Sequence, residues 1–456
     1  MGLDVVILAA GQGTRMKSDL PKVLHPVGGV PLLGHVIATA RRLTPDRIIV
    51  VYGHGGDQVR AALPGEDLLW VEQAEQLGTG HAVAQALPHI IDDHDVLILY
   101  GDVPFTRAET LETLLERLVP DALALLTVDL DDPTGYGRIL RDSAGRVTAI
   151  REQKDASAEE LAIREGNTGI LAVGGAKLHQ WLDALDNDNA QGEYYLTDVI
   201  AMAVAEGMRI ETAQPEVVEE VLGVNSKAQL AELERFHQRR RAEALMAAGV
   251  TLADPARLDV RGEVTVGRDV SMDVNVILEG RVEIGNRVTI GAGCVLRDVR
   301  IGDDVTLLPY CVAEETRIGA GSRVGPWSRL RPGAALEGDN HVGNFVEIKN
   351  SRIGRGSKVN HLSYIGDTDM GAGVNIGAGT ITANYDGANK HRTEIGDRVS
   401  TGSNTVMVAP VKVGEGATLG AGTVLRKDAP PGKLTLTAST QKTIEGWKRP
   451  TKKSSE

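Results

Sequence analysis

The 456-residue sequence has only two cysteines, Cys294 and Cys311, and aromatic residues make up just 3% of it. Two thiols form neither a disulfide framework nor a zinc cluster, so the sequence predicts a cytoplasmic protein. No apolar run approaches the ~18 residues that a membrane span needs, and the apolar run 5–8 lacks the basic leader and cleavage site of a signal peptide. A net charge of −13 argues against a protein that coats nucleic acid.

Glycine, in contrast, is abundant, and most of the 53 glycines lie after residue 260. The two halves of the chain therefore follow different packing rules, and the length exceeds that of one ordinary domain. We predict a first domain over residues 1–226 and a second over 250–456. The segment 227–249 has good helix formers and only a sparse apolar stripe, so we predict a connecting helix that is polar on most sides.

The segment 1–225 alternates between strand-like and helix-like stretches. The short apolar runs typical of buried strands are 5–8, 47–52, 96–100, 122–128 and 170–173. The helical stretches between them include 32–42, 80–87 and 110–118. This alternation predicts an α/β fold with a Rossmann-like parallel or mixed sheet and helices on both faces.

The second half has a period of six. Aliphatic residues at this spacing are Val312, Ile318, Val324, Leu330, Leu336, Val342 and Ile348, and a later run is Ile395, Thr401, Met407, Val413, Leu419 and Leu425. The period predicts a left-handed parallel β-helix of hexapeptide repeats, whose inward aliphatic residues stack in a prism too narrow for aromatic rings. A glycine-rich β-sandwich is the alternative, but strand alternation alone does not give a period of six. The repeat breaks over 381–394, where we expect a functional loop outside the coil.

A glycine-rich loop follows the first predicted strand, with Gly11 and Gly13 separated by one residue. Met16 stands where a P-loop or a dinucleotide fingerprint requires glycine, which weakens both interpretations. The outward amides of a Gly-x-Gly turn, together with Arg15 and Lys22, can still cradle a triphosphate. A tight strand–helix turn without a ligand is the alternative.

Three further features point to a nucleotide and a metal ion. Gly78 and Thr79 precede a predicted helix and provide a second N-terminus that can face a phosphate or a base. Asp102 follows the predicted strand 96–100, at the edge where ligands bind in such sheets. Asn225 offers an amide oxygen that can complete an oxygen-rich Mg²⁺ site.

The second half contains candidates for acyl transfer to an amine, which needs a base at neutral pH. The candidate histidines are His341, His361 and His391. A lone histidine on a coil is usually a surface residue, but His361 has neighbours that suit a sugar phosphate. These neighbours are Arg331, Lys349, Tyr364, Asn375 and Lys390.

The segments 8–16, 21–22, 78–82 and 100–104 together resemble the motifs of sugar-phosphate nucleotidyltransferases. With the β-helix behind them, nearly the whole chain resembles the family of bifunctional N-acetylglucosamine-1-phosphate uridyltransferase/glucosamine-1-phosphate N-acetyltransferases. The resemblance implies acetylation of glucosamine-1-phosphate by acetyl-CoA. It then implies Mg²⁺-dependent transfer of UMP from UTP to N-acetylglucosamine-1-phosphate. Folds of this kind are typically homotrimers, and no nucleic acid or membrane partner is expected.

For the first half, the resemblance implies three groups of site residues. Uracil and ribose are held by Leu8, Ala9, Gly11, Gln73, Gly78 and Thr79. Asp102 and Asn225 bind Mg²⁺, and Gly13, Arg15 and Lys22 belong to the triphosphate loop. The N-acetylglucosamine moiety is held by Gly137, Glu152 and Asn167, in a site shaped by Tyr100 and Gly101.

For the second half, the resemblance makes His361 the base that accepts a proton from the glucosamine amine. Arg331, Lys349, Tyr364 and Asn375 hold the sugar phosphate, and Asn384 and Tyr385 contact acetyl-CoA and the amine. Ala378 donates an N–H to the thioester oxygen, Ser403 and Ala421 lie along the CoA channel, and Glu347 is a candidate to orient His361.

The family usually has a tail arginine at the CoA phosphates. No arginine lies between Arg426 and Lys448, so we expect Lys433 or Lys442 to take that place.

Two other functions fit part of the sequence. One is a single-activity nucleotidyltransferase, such as a glucose-1-phosphate pyrophosphorylase, whose β-helix serves regulation or assembly. His361, Asn384 and Tyr385 argue against it. The other is a structural or protein-binding solenoid. An uninterrupted repeat would favour that function, and the break over 381–394 does not fit it.

Overall fold

The first half folds into one nine-stranded sheet with helices on both sides and a separate two-stranded sheet that pairs Pro26–Val27 with Val30–Pro31. In the computed structural model, which describes residues 2–53, 55–189, 191–438 and 440–449, the chain divides into two units at Gln238 and Arg239. No helix among these residues is long and apolar enough to cross a membrane. The strands of the first unit are β1 (Leu3–Ala9), β2 (Pro26–Val27), β3 (Val30–Pro31), β4 (Arg47–Tyr52), β5 (Leu68–Glu72), β6 (Asp95–Tyr100), β7 (Ala122–Asp129), β8 (Arg138–Arg141), β9 (Val147–Arg151), β10 (Glu165–Gly174) and β11 (Arg209–Ala213).

Seven α-helices of the described residues belong to the first unit, and the eighth continues into the second. They are α1 (Leu32–Arg42), α2 (Gly56–Ala62), α3 (Thr79–Ala86), α4 (Ala108–Glu116), α5 (Ala158–Leu161), α6 (Gly175–Asp183), α7 (Asp198–Ala205) and α8 (Lys227–Ala247). Short 3₁₀ turns occupy Thr14–Met16, Lys22–Leu24, Leu87–His89, Val218–Val221 and Pro255–Arg257.

The strand order of the sheet is β11-β7-β10-β6-β1-β4-β5, with β8 and β9 attached beside β10. β10 runs antiparallel to β6 and β7, while β1 is parallel to both of its neighbours, so the sheet is mixed as predicted. Val5 and Ile7 belong to the core on one face, and Val6 and Leu8 belong to the core on the other. Burial of alternate residues on opposite faces is the reason why this strand has an unbroken apolar run.

The strands of the second unit are mostly two or three residues long. They are β12 (Thr251–Leu252), β13 (Leu258–Val266), β14 (Ser271–Met272), β15 (Val276–Ile284), β16 (Thr289–Ile290), β17 (Val295–Ile301), β18 (Thr306–Leu307), β19 (Val312–Ile318), β20 (Arg323–Val324), β21 (Arg329–Leu330), β22 (Ala335–Leu336), β23 (His341–Asn344), β24 (Glu347–Lys349), β25 (Arg352–Ile353), β26 (Lys358–His361), β27 (Tyr364–Gly366), β28 (Thr368–Met370), β29 (Asn375–Ile376), β30 (Ile381–Ala383), β31 (Thr393–Ile395), β32 (Ser400–Thr401), β33 (Val406–Val408), β34 (Val411–Val413), β35 (Thr418–Leu419), β36 (Val424–Leu425) and β37 (Leu434–Thr435).

These strands stack in parallel into the walls of a β-helix. Leu258 pairs with Val276, and Ile348 pairs with Ile365, so each strand meets its equivalent on the next coil. A coil of about 18 residues is three hexapeptides, so the period of six seen in the sequence is the length of one side of the coil. The aliphatic residues of the repeat form one continuous buried core, which confirms the hexapeptide β-helix.

Two details of the sequence prediction are wrong. Val312 is 38% exposed, and Cys311 and Ala313 on either side of it are buried instead. The break over 381–394 is shorter than expected, because β30 and β31 continue the walls and pair with β33 and β34. Only residues 384–392 leave the coil.

Helix α8 spans the point at which the two units divide. Leu233 is 2% exposed and belongs to a small core of the first unit. Ala242 and Leu245 belong to the core of the β-helix. Of the sparse apolar stripe seen in the sequence, Leu233 and Leu245 are buried, and Leu230 and Phe236 are partly buried.

Candidate active sites

The loop after β1 is shaped by Gly13 and by a buried Met16. Gly13 has φ +65°, and a Cβ there would lie 2.7 Å from Cβ of Lys22, so this position requires glycine. Met16 is 1% exposed and packs with Val27 and Leu32. Met16, which breaks the P-loop pattern, is thus a core residue, and its packing holds the loop against the domain.

Lys22, Asp102 and Asn225 meet at the carboxyl end of β6. The ammonium of Lys22 donates a very short hydrogen bond to Oδ2 of Asp102 and another, of 3.1 Å, to Oδ1 of Asn225. Both members of the ion pair are largely buried. The backbone N–H of Val224 donates to the carbonyl of Asp102 at 2.9 Å, which fixes the segment of Asn225 beside the strand end. The two side-chain oxygens therefore converge on a single cation position.

Gln73 and Gly78 form a second wall of this site. Gln73 is 3% exposed, and its amide donates to the carbonyl of Gly78 at 3.1 Å. Gly78 has φ +117°, and a Cβ there would lie 2.5 Å from the carbonyl oxygen of Tyr194. Thr79 begins α3, and its hydroxyl accepts from the N–H of Leu196 at 3.1 Å. Because of the contact with Tyr194, only glycine at position 78 allows these two backbone segments to approach so closely.

Glu152 and Tyr100 mark the neighbouring part of the site. Burial raises the pKa of the Glu152 carboxyl, although the hydroxyl of Thr197 donates to it at 3.1 Å and opposes that shift. Burial, followed by the charges of Glu152 and Asp102, raises the pKa of Tyr100 well above its ordinary value. Tyr100 is therefore a neutral phenol across the working pH range. Asn167 lines the same cavity as these two residues. Its N–H donates to the carbonyl of Gly137 at 2.8 Å.

Two cavities of about 350 Å³ each bring most of the predicted residues together. The first is lined by Leu8, Ala9, Gly11, Lys22, Gln73, Gly78, Thr79, Tyr100 and Asp102 among others. The second shares Tyr100 and Asp102 and adds Arg15, Gly137, Glu152, Asn167 and Asn225. Gly13 and Gly101 support the loop and the strand end without lining either cavity. Gln12 and Gln76 also line the first cavity and were missed.

In the β-helix, the predicted residues His361, Ala378, Ser403 and Ala421 form a single row with Asn344, which was not predicted, and we name this row the corner column. In each coil the N–H of the residue after the column donates to the carbonyl of the column residue one coil earlier. The four bonds are Leu362 to Asn344 at 3.1 Å, Gly379 to His361 at 3.2 Å, Asn404 to Ala378 at 2.7 Å and Gly422 to Ser403 at 2.8 Å. His361, Ser403 and Ala421 are exposed, so the column is an accessible edge of the prism.

Asn344, rather than Glu347, is the partner of His361. Nδ1 of His361 lies 3.2 Å from Oδ1 of Asn344. An amide oxygen only accepts, so in the neutral imidazole Nδ1 is the donor and Nε2 keeps the lone pair that a base requires. Glu347 instead accepts from Arg331 at 2.8 Å. The expectation that Glu347 orients His361 is therefore wrong.

The wall after the corner carries a group of cations. Leu330 pairs with Ile348, so the residues that follow them, Arg331 and Lys349, are stacked on neighbouring coils. Lys349 lowers the pKa of Lys390, because the two like charges face one another. Positive charges gathered in this way favour an anion such as a phosphate.

The remaining predicted residues lie around this group. The amide of Asn384, which is buried, is 3.5 Å from the hydroxyl of Tyr364. Tyr385 is 62% exposed on the loop 384–392. Asn375 lies on β29, on the wall before the corner, one coil after Lys358. Lys433 and Lys442 are both exposed, and their role at the CoA phosphates stays a prediction.

Comparison with known proteins covers both units. Residues 5–252 match the MobA-like NTP transferase domain, residues 392–427 match the bacterial transferase hexapeptide (six repeats), and residues 281–307 match the hexapeptide repeat of succinyl-transferase. Among solved structures, a putative glucose-1-phosphate thymidylyltransferase from Bacillus anthracis is 20% identical, over 52% of this chain and 95% of its own, with a TM-score of 0.43. That likeness is too low to bear on function.

Relatives match the chain over nearly its whole length. The bifunctional protein GlmU of Stutzerimonas stutzeri (strain A1501) is 61% identical over 453 residues, which are 99% of this chain and 100% of the relative. The bifunctional protein GlmU of Azoarcus sp. (strain BH72) is 60% identical over 450 residues, again 99% and 100% of the two chains. The chain therefore belongs to the bifunctional GlmU family, and it is a transferase of UDP-N-acetylglucosamine synthesis with a uridyltransferase and an N-acetyltransferase activity.

Proposed function

We propose that the two activities lie in separate domains, residues 1–226 and 250–456, joined by the segment 227–249. Uridyl transfer takes place in the two cavities that share Tyr100 and Asp102. Acetyl transfer takes place beside the corner column. The observation that carries this proposal is that the residues implied by the family resemblance gather in these two places, within the first and the second unit.

We propose that Asp102 and Asn225 hold Mg²⁺, the divalent cation of the uridyl transfer. The ammonium of Lys22 stands between their oxygens, which supports one cation position there. Among the residues that the structure describes, no group of three or more His, Cys, Asp or Glu side chains is arranged to hold a metal. The other ligands would then be substrate oxygens and water, which suits Mg²⁺. When bound, this ion offsets the negative charge that develops on the phosphates.

The chain itself needs to supply little more than position and charge. Gln73, Gly78 and Thr79 hold the nucleotide, and Glu152, Asn167 and Gly137 hold the N-acetylglucosamine. The phosphate oxygen of the sugar attacks the α-phosphorus of UTP in line, and pyrophosphate leaves from the opposite side. Arg15 and Lys22 stabilise the charge on the leaving group. No side-chain nucleophile takes part in this step.

Acetyl transfer requires a free amine and a stabilised oxyanion. Nε2 of His361 accepts a proton from the glucosamine amine as the amine nitrogen attacks the thioester carbonyl. The N–H of Ala378 donates to the oxyanion. The C–S bond then breaks, and the thiolate of CoA takes up the proton from the imidazolium. Arg331, Lys349 and Tyr364 hold the sugar phosphate, and Ser403 and Ala421 hold the CoA chain.

We further propose that the chain is a homotrimer in which acetyl-CoA lies between two β-helices. His361, Ser403 and Ala421 form an exposed edge, which covers only one side of a bound cofactor. A second wall would come from another copy. Light scattering combined with size exclusion should give a mass three times that of the 48.5 kDa chain. A monomer with full acetyltransferase activity would contradict this arrangement.

Mass spectrometry of the reaction products tests the proposal as a whole. Incubation with glucosamine-1-phosphate, acetyl-CoA, UTP and Mg²⁺ should give UDP-N-acetylglucosamine, pyrophosphate and CoA. With EDTA in place of Mg²⁺, the reaction should stop at N-acetylglucosamine-1-phosphate, because only the second step needs the metal. If acetyl-CoA is not consumed, the chain is instead a nucleotidyltransferase whose β-helix has another role.

A further inference from the structure

Asp367 is a buried carboxylate at the edge of the acetyl-transfer site. It lies between β27 and β28, in a turn of the coil where φ is +47°. The residue is 4% exposed. Burying a carboxylate is costly unless hydrogen bonds and an opposite charge compensate for the lost water. The contacts of Asp367 therefore indicate what it is for.

Its two carboxylate oxygens accept from three side chains. Oδ1 accepts from Nδ2 of Asn350 at 2.5 Å. Oδ2 accepts a very short hydrogen bond from Nδ2 of Asn384 and one of 3.4 Å from Nζ of Lys349. Burial alone would raise the pKa of Asp367, but the bonds from Asn350 and Asn384 and the charge of Lys349 hold it below the ordinary value. Asp367 is therefore an anion that binds two residues of the site.

Other turns of the β-helix show what a purely structural aspartate does. The side chain of Asp298 accepts from the backbone N–H of Arg281 at 2.9 Å. That of Asp397 accepts from the backbone N–H of Ala372 at 2.8 Å. These carboxylates tie one coil to the coil before it. Asp367 directs its oxygens to side chains instead, and two of these lead into the acetyl-transfer site.

The bond to Asn384 fixes the direction of an amide. A carboxylate only accepts, so the nitrogen of the Asn384 amide must face Asp367 and its oxygen must face the other way. The family resemblance implies that Asn384 contacts the substrate amine, and the amide oxygen is the group that can accept a hydrogen bond from it. Without the carboxylate, the amide is free to turn over and present the wrong group. The bond to Lys349 likewise limits the directions in which its ammonium can point.

We propose that Asp367 is a positioning residue for acetyl transfer, which holds the ammonium of Lys349 and the amide of Asn384 in their working orientations. The inference rests on the proposed function, which places Lys349 at the sugar phosphate, and on the family resemblance, which implies that Asn384 contacts the amine. Asp367 itself acts through these two residues. It is therefore expected to affect the acetyl-transfer reaction alone.

The test is Asp367→Asn, which keeps the size of the side chain and removes its charge. We expect kcat/KM for glucosamine-1-phosphate in acetyl transfer to fall by about 10- to 100-fold, because the loss of a hydrogen bond to a buried charged group has effects on that scale. KM for glucosamine-1-phosphate should rise through Lys349, and kcat should fall through Asn384. Uridyl transfer by the same sample should not change and reports that the chain is folded.

Asp369→Asn is the matched control. Asp369 lies two residues further on, is half exposed, and accepts from Arg392 at 2.9 Å. Its loss removes two exposed ion pairs, with Arg392 and with Arg352, and each contributes little. We expect its acetyl transfer to equal that of the unaltered chain. Equal losses in Asp367→Asn and Asp369→Asn would mean that any lost charge on this turn has the same effect, and they would overturn the proposal.

A double-mutant cycle distinguishes positioning from stability. Asp367→Asn should cost much less in an Asn384→Ala background than in the unaltered chain, because the amide that it orients is already absent. Additive losses would overturn the proposal. If Lys349→Met and Asn384→Ala are themselves fully active, the proposed site has failed. If both lose activity while Asp367→Asn keeps it, only the present inference has failed.

Asn350→Ala provides a second route if Asp367→Asn does not fold. This change leaves the carboxylate in place but removes the 2.5 Å bond that anchors Oδ1. We expect a smaller rise in KM for glucosamine-1-phosphate, with uridyl transfer unchanged. Unaltered acetyl-transfer kinetics in a folded Asn350→Ala chain, measured alongside, would contradict the role given to Asp367.

Discussion

Asp102→Ala is expected to lower kcat/KM for uridyl transfer by at least about 100-fold, the scale seen when a charge-stabilising group is removed from an active site. The carboxylate lies at the end of β6, beside Lys22 and Asn225. Its loss removes one of the two proposed cation ligands and leaves the ammonium of Lys22 without its anion. Acetyl transfer should survive, because its proposed residues lie in the other unit.

Asp129→Ala is the control for this change. Asp129 also ends a strand of the same sheet, β7, but it is exposed and pairs with Arg164 at 3.2 Å. Removing it should leave both activities intact. Steady-state assays of both reactions, with thermal unfolding of each variant, provide the comparison. Loss of both activities in a folded Asp102→Ala chain would argue against separate sites.

His361→Ala should show the opposite selectivity. Without the proposed base, acetyl transfer is expected to fall by about 10²- to 10⁴-fold, the usual contribution of general base catalysis. Uridyl transfer from N-acetylglucosamine-1-phosphate should be unchanged. A free-thiol assay for CoA and a pyrophosphate assay on one sample measure the two reactions separately.

His341→Ala is the matched control within the β-helix. His341 is exposed, begins β23, and pairs with Lys358 on the next coil, outside the corner column. Its removal should not affect acetyl transfer. If His341→Ala and His361→Ala behaved alike, the base would not be His361, and the orientation given by Asn344 would be incidental.

The fold was predictable where the sequence repeats its physical requirements. Each side of the coil needs one inward aliphatic residue, so a period of six is visible without any structure. The apolar strands of the first unit are visible for the same reason, because both faces of the sheet are buried. In contrast, β5 at the edge of the sheet was missed, since it is short and only partly buried.

Site residues were predictable where they belong to a motif, and Asp102 and Gly78 are examples. Asn344 and Asp367 were missed, because they act through stacking between coils and not through a local pattern. Both lie one coil away from a predicted residue: Asn344 comes one coil before His361, and Asp367 comes one coil after Lys349. Adding the length of a coil to each candidate, and subtracting it, would have found them.

The corner column also sets a length. From His361 to Ala421 it climbs three coils, which at the usual strand spacing of about 4.8 Å amounts to about 14 Å. A slender molecule lying along this edge meets a new side chain at every step, with its reactive end at the imidazole. Gain or loss of one whole coil would lengthen or shorten that track by about 5 Å and leave the walls in register. A step of 17 residues from Asn344 to His361 and a step of 18 residues from Ser403 to Ala421 both keep the column in register, so its spacing is set by the stacking of the strands and not by the exact residue count. The stacking of the coils thus fixes the distance between successive side chains along this edge.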